Sequence, residues 1–452
     1  MRLPQAFIDR TLPLLGNSFP SFVEALEKDS PTCIRLNPFK NPQDVAYEKV
    51  PWCANGYYLP SRPLFTLDPL FHAGAYYVQE ASSMFLEQVV KQHITGSITM
   101  LDLCAAPGGK STHLVSLLDA DSLLVANEYV RSRAYVLAEN IQKWGSSNVV
   151  ASNNTPKDMG ELSSFFDAIL VDAPCSGEGM FRKDAGAIDE WSVANVENCV
   201  IRQRSLLEDV WPSLKTGGIL IYSTCTYNRE ENEDAVKWMI DELGAELLPV
   251  EIDEAWGITT SDFGYRFYPH KTKGEGFFMA VLRKTSNEKT IRIKPEKQTV
   301  NLNKQQLELN KQLLHPENYI INLIKEKVFA IPKAHIDSIS FLLKKLKILY
   351  VGIGLAQIKG KDLIPEPGFA LSFELNMDAC EIAEVDYRTA LAFLRTENIV
   401  LPNSAKGYVL VCYKNKALGW VKNLGNRCNS IYPSEWRIRM NIPPDVIENS
   451  VL

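Results

Sequence analysis

Residues 102–112 constrain the fold of this chain more than any other stretch. They read Asp-Leu-Cys-Ala-Ala-Pro-Gly-Gly-Lys-Ser-Thr, after an apolar run at 98–101 and before a helix-like segment at 113–118. A buried strand, a loop of small residues and a helix start, in that order, let α/β proteins bring backbone amides close to a nucleotide-like ligand. A phosphate-binding P-loop would need a glycine five positions before Gly109. Because Cys104 stands there, we exclude an NTPase.

The next apolar run, residues 123–126, ends in Asn127 and Glu128. In doubly wound folds an acid at the tip of the second strand holds the ribose hydroxyls of a nucleotide. Glu128 is therefore a candidate for that role. The alternative is that the loop is an ordinary strand-to-helix connection and that Glu128 is a solvated charge.

Apolar runs alternate with helical patterns from residue 97 to residue 284, which predicts βα units and a largely parallel sheet. We predict helices at 131–144 and 194–214 and a last strand, 277–282, that pairs antiparallel near the sheet edge. Ligands in such sheets bind at the carboxyl ends of the strands, where the motifs fall. Further strands are predicted at 148–152, 166–171 and 219–222.

Three motifs together resemble the Sun-type (Nol/Nop/Sun) RNA cytosine-5 methyltransferases, which use S-adenosylmethionine. They are residues 102–110, Asp-Ala-Pro-Cys-Ser-Gly at 172–177 and Ser-Thr-Cys-Thr at 223–226. The resemblance covers about residues 60–284, and the flanking parts are similar to the longer bacterial RsmF-type members, which act on small-subunit ribosomal RNA. It implies an α/β fold: a doubly wound Rossmann-like methyltransferase sheet with a small N-terminal α+β extension and a C-terminal α+β, β-rich PUA-like part.

The resemblance also implies the catalytic residues. Carbon 5 of cytosine is a poor nucleophile, and adding a thiolate to carbon 6 activates it, so the enzyme needs a reactive cysteine. The family pattern makes Cys225 this nucleophile and Cys175 the residue that assists release of the product. Asp172 is placed to hold the cytosine amino group, and Lys110 to steady Asp172 or a phosphate.

The same resemblance predicts the ligand contacts. We expect Arg182 and Lys183 to contact RNA phosphates. Family members often have an acid after the third strand to meet the adenine amino group, whereas this chain has amides and a hydroxyl there. An amide oxygen can accept the same hydrogen bond without the charge. The predicted S-adenosylmethionine contacts are Cys104, Ala105, Ala106, Pro107, Gly108, Gly109, Lys110, Glu128, Asn154, Thr155 and Asp172.

Nine cysteines occur, and no Cys-x-x-Cys pair is among them. This argues against a zinc site and against a disulfide framework, and fits a reducing compartment. None of the six histidines has a spacing typical of a metal site, so we predict no metal. The seven cysteines other than Cys175 and Cys225 are interpreted as packing residues.

The net charge of -6 is unevenly distributed. Residues 1–284 hold 25 Lys and Arg against 37 Asp and Glu, whereas residues 285–452 hold 23 against 17. A positive C-terminal part suits RNA, although a solvated surface would look the same. No apolar run is long enough to span a membrane. We predict a cytoplasmic monomer whose partner is RNA, either ribosomal RNA or the small ribosomal subunit.

Composition shifts divide the chain into five parts. We predict an N-terminal RNA-binding-type extension at 1–60, the methyltransferase domain at 61–284 and a polar linker at 285–300. A middle α+β segment follows at 301–390. The pattern of residues 408–413 and 418–424 predicts a hairpin within a PUA-like RNA-binding module at 391–452. The core sheet is expected to be complete at residue 284.

Two other functions stay open beside a ribosomal RNA cytosine-5 methyltransferase. A catalytically silent RNA-binding scaffold could keep the fold, although both cysteines are present. A methyltransferase acting on transfer RNA would show the same motifs. Amino-directed methyltransferases often carry a Pro-Pro-Tyr-type motif after the fourth strand, and residues 173–175 differ from it.

Overall fold

The N-terminal part consists of two helices followed by a small antiparallel sheet. The structure, a computed structural model, describes residues 2–41, 45–286, 302–442, 448 and 450–452. The elements are α1 (Gln5–Leu15), α2 (Phe19–Leu26), β1 (Thr32–Leu36), β2 (Glu48–Lys49), β3 (Gly56–Leu59), α3 (Pro69–His72) and β4 (Tyr76–Val78). The strand order is β2-β3-β1-β4. Because β4 pairs with β1, this sheet continues past the predicted boundary at residue 60.

The central part alternates strands and helices as predicted, and its helix α6 has the predicted bounds. Helix α6 ends where Gly145 adopts a left-handed conformation, with φ of 95°. The strands are β5 (Thr99–Asp102), β6 (Leu123–Asn127), β7 (Val149–Ser152), β8 (Phe166–Asp172), β9 (Leu214–Thr224), β10 (Ala245–Leu248), β11 (Thr259–Ser261), β12 (Gly264–Phe267) and β13 (Phe277–Lys284). The helices are α4 (Leu86–His93), α5 (Gly109–Leu117), α6 (Arg131–Trp144), α7 (Pro156–Gly160), α8 (Ala185–Glu190), α9 (Val193–Val210) and α10 (Glu233–Leu243).

The third part continues the chain from residue 302 into a second small sheet. Its strand order is β14-β15-β17-β18, and all its neighbouring pairs are antiparallel. The predicted linker lies outside the described residues from residue 287 onward. The elements are α11 (Lys304–Glu308), β14 (Tyr319–Ile324), β15 (Lys327–Pro332), α12 (Ile336–Lys345), β16 (Ile348–Val351), β17 (Ile353–Lys359), β18 (Asp362–Pro365) and α13 (Pro367–Leu371).

Within the described residues, ten strands form the central sheet, in the order β11-β12-β13-β9-β8-β5-β6-β7-β16 with β10 paired to β13. The five strands β9, β8, β5, β6 and β7 run parallel, and β13 is antiparallel to β9 as predicted. Side chains alternate between two hydrophobic layers: Met100 and Leu124 lie in one, Leu101 and Val125 in the other. Both faces are therefore covered, as parallel sheets require.

The prediction that this sheet is complete at residue 284 is wrong. Strand β16, from the middle segment, pairs antiparallel with the edge strand β7. Ile339, Leu342 and Val351 of the same segment are buried in the hydrophobic layer that contains Val150. Sequence periodicity cannot reveal this pairing, because a short strand of four residues carries no signal of its partner.

The C-terminal part is a four-stranded sheet with one helix, and it contains the predicted hairpin. Its strand order is β19-β20-β21-β22, in which β19 pairs parallel with β20. One hydrophobic cluster joins it to the N-terminal sheet, since Ile34 and Tyr57 pack with Tyr387 and Leu391. The elements are β19 (Ile382–Glu384), α14 (Tyr387–Leu394), β20 (Gly407–Tyr413), β21 (Lys416–Asn423) and β22 (Cys428–Ser430).

Candidate active site

The loop after β5 is fixed in place from several sides. Gly108 adopts φ of 114°, a conformation that favours glycine, immediately before α5 begins. Arg133 donates to the Ala106 carbonyl at 2.8 Å, and Asn140 donates to the Pro107 carbonyl at 2.7 Å. The loop thus presents small residues and the first amides of α5 at the carboxyl edge of the sheet. This is the arrangement that the sequence predicted for residues 104–110.

Asp102 ends β5 and is fully buried beneath this loop. Its Oδ2 accepts a hydrogen bond from the Ser111 hydroxyl at 2.6 Å, while its Oδ1 is buried with no hydrogen-bond partner among the described residues. Burial raises the pKa of the Asp102 carboxyl from 3.8 to about 7, and the charge of Asp172 adds to the rise. The motif contained Asp102, but the sequence did not reveal this unpartnered oxygen.

Glu128 follows β6 directly and is nearly buried, with its side chain 5% exposed. Its Oε1 accepts a hydrogen bond from the Val130 amide at 2.8 Å, and its Oε2 lies 3.7 Å from a guanidinium nitrogen of Arg133. One oxygen is therefore held by the backbone. The other can accept from a ligand hydroxyl, as the ribose prediction requires.

Asn154 has another role than the predicted contact with adenine. Its Nδ2 donates to the Lys347 carbonyl at 3.3 Å, and its Oδ1 accepts from the Lys347 amide at 2.9 Å. The amide side chain thus forms two hydrogen bonds with the backbone of the segment leading into β16. We therefore correct the prediction that Asn154 contacts the adenine of the cofactor. Thr155 caps α7 through its hydroxyl oxygen, which accepts from the Asp158 amide at 3.1 Å. Its predicted contact with the cofactor stays a prediction.

Asp172 ends β8 and is held through both carboxylate oxygens. Oδ1 accepts a hydrogen bond from the Ser223 hydroxyl at 2.7 Å, and Oδ2 lies 2.8 Å from Lys110 Nζ. Burial alone would lower the pKa of Lys110, but the charge and hydrogen bond of Asp172 outweigh it and the net pKa is raised. Lys110 therefore stays charged, and the ion pair fixes the Asp172 carboxylate at the mouth of the site.

The two predicted catalytic cysteines lie side by side. Strands β8 and β9 are parallel neighbours in which Asp172 pairs with Ser223, so the loops after them start at the same edge. The sulfurs of Cys175 and Cys225 are 3.1 Å apart, and the Cys225 amide donates to the Cys175 sulfur at 3.3 Å. The hydrogen bond with Cys225 and burial together raise the pKa of the Cys175 thiol well above its ordinary value. Cys175 thus keeps its proton and can donate it to the Cys225 sulfur.

The glycine-flanked segment after Cys175 is fixed in place by its buried acid, Glu178. Glu178 is 1% exposed and accepts hydrogen bonds from the Trp191 indole, from the Tyr227 amide and from both the amide and the side chain of Asn228. These contacts tie the loop after β8 to the loop after β9. Sequence reasoning missed Glu178, because its partners come from two distant segments.

Arg182 does not present its guanidinium to solvent, so the prediction of a phosphate contact is wrong for it. Its side chain is 5% exposed and pairs with Glu275, with Nη2 to Oε1 at 2.9 Å and Nε to Oε2 at 3.0 Å. Nη2 also donates to the Gly274 carbonyl at 2.7 Å. Lys183 is more open, at 28% exposure and 3.8 Å from Glu275, and its contact with RNA stays a prediction.

One buried group outside this site has metal-ligating side chains: Cys53, Glu87 and His113. Glu87 already pairs with Lys91 at 2.6 Å and accepts from the Ala54 amide at 3.1 Å. Burial lowers the pKa of His113 to about 4, so its ring is neutral. Nε2 of His113 lies 3.3 Å from Glu87 Oε2 and 3.8 Å from the Cys53 sulfur, while its Nδ1 is buried with no hydrogen-bond partner among the described residues. The prediction of a metal-free protein stays a prediction. Among the described residues, no helix combines the length and apolarity that crossing a membrane requires.

The buried Asp102 makes stability depend on pH in a predictable direction. Its carboxyl has a raised pKa in the folded state, so the folded protein binds a proton more tightly than the unfolded chain. This contribution is full below pH 4 and is lost as the pH rises to about 7, at up to about 1.4 kcal/mol per pH unit. We expect Asp102→Asn, which mimics the protonated acid, to remove this slope. Urea unfolding of both proteins at several pH values between 4 and 8 measures the difference, and parallel curves would contradict it.

The fold and the site define the class: a Rossmann-like methyltransferase whose site carries two adjacent thiols. Family models agree with this class along most of the chain. Residues 92–283 match the model of the 16S rRNA methyltransferase RsmB/F, residues 3–81 that of the N-terminal domain of 16S rRNA methyltransferase RsmF, and residues 380–438 that of the methyltransferase RsmF PUA domain.

Similar proteins extend this agreement over nearly the full length. Ribosomal RNA small subunit methyltransferase F of Shewanella oneidensis is 30% identical over 96% of this chain and 94% of its own. The protein of the same name from Aliivibrio fischeri is 32% identical over 96% and 97%. The chain therefore belongs to the RsmF family of ribosomal RNA small-subunit methyltransferases, which depend on S-adenosylmethionine.

Two solved structures share the fold. A methyltransferase homologue from Pyrococcus horikoshii is 32% identical, with a TM-score of 0.53 over 62% of this chain and 95% of its own. NSun6 from the same organism, solved with the S-adenosylmethionine analogue SFG, has a TM-score of 0.53 at 22% identity, over 63% and 99%.

Proposed function

We propose that this protein methylates carbon 5 of a cytidine in small-subunit ribosomal RNA, through a covalent bond between Cys225 and the base. The observation that carries the proposal is the pair of sulfurs 3.1 Å apart at the carboxyl edge of the sheet, beside the Asp172–Lys110 ion pair. A DNA-type enzyme would need only the cysteine of the Pro-Cys motif. The second thiol on the adjacent strand favours the RNA-type chemistry.

In the first step Cys225 adds to the base. Its thiolate forms a bond to carbon 6, and the electrons of the carbon 5–carbon 6 double bond make carbon 5 nucleophilic. Asp172 accepts a hydrogen bond from the cytosine amino group while Lys110 holds the carboxylate in place. Both oxygens of Asp172 keep lone pairs for this contact. When bound, S-adenosylmethionine would supply the electrophilic methyl group for carbon 5, and its sulfur would keep the electron pair of the broken carbon–sulfur bond.

In the second step the product is released. A proton passes from carbon 5 to a solvent water that acts as base, the electrons of the carbon–hydrogen bond restore the ring double bond, and the bond between carbon 6 and the Cys225 sulfur breaks with its electron pair on the sulfur. The departing sulfur carries a negative charge, which a nearby hydrogen-bond donor stabilises. Cys175 is that donor, because its pKa is raised and its sulfur lies beside that of Cys225.

The residues around the loop after β5 fit the cofactor. Gly108 supplies the left-handed conformation that turns the loop into α5, and Asp102 offers an unpartnered buried oxygen. Glu128 would hold the ribose hydroxyls. The remaining predicted contacts are Cys104, Ala105, Ala106, Pro107, Lys110, Thr155 and Asp172.

We further propose that the outer parts of the chain hold the RNA. The segment up to residue 284 is acidic and the rest is basic, so attraction of a polyanion would come mainly from residues beyond 284. Lys183 would add a phosphate contact next to the catalytic loops. The proposed division keeps the predicted parts 1–60, 61–284, 285–300, 301–390 and 391–452, with β4 of the second part completing the N-terminal sheet and β16 of the fourth part joining the catalytic sheet. We propose a monomer that works in the cytoplasm.

Bisulfite sequencing of ribosomal RNA tests the proposal directly. In a strain that lacks this protein, we expect one cytidine of the small-subunit RNA to lose its protection from deamination. A plasmid copy of the wild-type gene should restore the protection, whereas Cys225→Ala should not. Unchanged protection would favour a silent scaffold, and a change confined to transfer RNA would favour that substrate.

A further inference from the structure

The peptide groups on both sides of Cys175 are held by two buried side chains. Gln203 Nε2, from α9, donates to the Pro174 carbonyl at 3.0 Å. The Ser176 amide donates to Oε2 of Glu231 at 3.0 Å. The two side chains also contact each other, since Gln203 Nε2 donates to Glu231 Oε2 at 2.8 Å.

These contacts form in a fully buried setting. Gln203 and Glu231 are both 0% exposed. Tyr222 donates through its hydroxyl to Gln203 Oε1 at 3.2 Å and to the Glu231 carbonyl at 2.8 Å, and Asn228 donates to Glu231 Oε1 at 2.7 Å. Hydrogen bonds to a buried carboxylate are stronger than neutral ones, so the assembly is rigid.

The main chain of Cys225 is held by different groups. Its carbonyl accepts a hydrogen bond from the Gly179 amide at 2.9 Å, and Glu178 holds the Tyr227 amide at 2.8 Å. The Glu231 carboxylate holds the Ser176 amide directly and meets the loop after β9 through the Asn228 side chain, so a change at Glu231 acts first on the backbone around Cys175. Among the described residues, neither Glu231 nor Gln203 forms a hydrogen bond with either sulfur, so both would act through the backbone of Cys175.

We propose that Gln203 and Glu231 are positioning residues that hold the Cys175 sulfur against Cys225 for the release of methylated RNA. The proposal rests on the proposed function, in which Cys175 assists release. Displacing a group by about 1 Å can slow its step by about 100-fold. We call the hydrogen-bonded pair of Gln203 and Glu231 the clamp. Its loss should thus slow release of methylated RNA and leave formation of the bond between Cys225 and the base largely intact.

Glu231→Gln tests this clamp. The glutamine amide has the size of the carboxylate, but one of its two oxygens is replaced by an NH₂ group that cannot accept a hydrogen bond. At least one of the hydrogen bonds from Ser176, Gln203 and Asn228 is therefore lost. In single-turnover reactions with a small-subunit RNA transcript, we expect the covalent adduct to form within about threefold of the wild-type rate. Release of methylated RNA should fall by about 10- to 100-fold, so that the adduct accumulates on a denaturing gel.

Glu242→Gln is the matched control, because Glu242 is exposed on α10 and undergoes the same chemical change. Its release rate should equal that of the wild type. Gln203→Met is a second variant that removes the donor to Pro174 without adding a charge, and it should also accumulate adduct. Thermal unfolding of each variant checks that it is folded. The test is decided by whichever of Glu231→Gln and Gln203→Met is folded.

Suppose that Cys175→Ala traps the adduct, so that the proposed role of Cys175 holds. Two results would then overturn the inference about Gln203 and Glu231 without affecting the proposed function. One is release at the wild-type rate in both folded clamp variants. The other is loss of adduct formation in Glu231→Gln, because the residue would then act on Cys225 or on the whole site. If Cys175→Ala itself traps no adduct, the proposed role of Cys175 fails, and the clamp proposal fails with it.

Discussion

Cys225→Ala should abolish methyl transfer to RNA and leave cofactor binding intact. The variant lacks the sulfur that adds to carbon 6, so carbon 5 is never activated, and we expect a loss on the order of 10⁴-fold or more. The cofactor loop is held by Arg133 and Asn140, which do not contact Cys225. Affinity for S-adenosylmethionine should therefore stay within about twofold of the wild type. Transfer of a radiolabelled methyl group and isothermal titration measure the two quantities.

Cys380→Ala is the control for this loss, because Cys380 is a half-buried thiol of the C-terminal half that packs against a separate hydrophobic cluster and donates a hydrogen bond to the Asn376 carbonyl. It should transfer methyl groups at the wild-type rate. Turnover by Cys225→Ala above the background of a protein-free reaction would show that another group is the nucleophile.

Cys175→Ala should stall after the first bond has formed. The departing Cys225 sulfur loses its hydrogen-bond donor, so the adduct between protein and RNA persists. We expect nearly one RNA bound per enzyme molecule and multiple turnover reduced by about 100-fold or more. A denaturing gel shows the adduct, and its loss in the double variant Cys175→Ala with Cys225→Ala identifies the linked residue.

Cys175→Ser distinguishes the donor role from simple packing. A serine hydroxyl can still donate a hydrogen bond to the departing sulfur, so this variant should release RNA faster than Cys175→Ala. Equal adduct levels in both variants would mean that the thiol acts as something other than a donor. A wild-type release rate in Cys175→Ala would remove Cys175 from the reaction.

The sequence predicted the core of the site because its motifs are local. Each one follows a strand of the parallel sheet directly, so the strand pattern alone brings residues 102–110, Asp172 and Cys175 to one edge. The contact between Asp172 and Lys110 follows from the neighbouring positions of β5 and β8. The proximity of Cys175 and Cys225 follows in the same way from the pairing of β8 with β9.

The predictions that failed concern side chains whose partners are remote in sequence. Asn154 pairs with Lys347, and Arg182 pairs with Glu275. A polar residue near a motif looks the same in a sequence whether it faces a ligand or a distant backbone group. Glu231 and Gln203 were missed for this reason, since one follows β9 and the other lies on α9.

The β7–β16 pairing bears on how this enzyme is made. At about 5–20 residues per second, a ribosome needs several seconds to proceed from the end of β13 to the end of β16. During that interval the outer edge of β7 lacks its final neighbour, and unpaired strand edges invite association with other chains. The nascent protein is therefore most exposed to aggregation while its catalytic motifs are already synthesised, and chaperone binding would be most useful in that window.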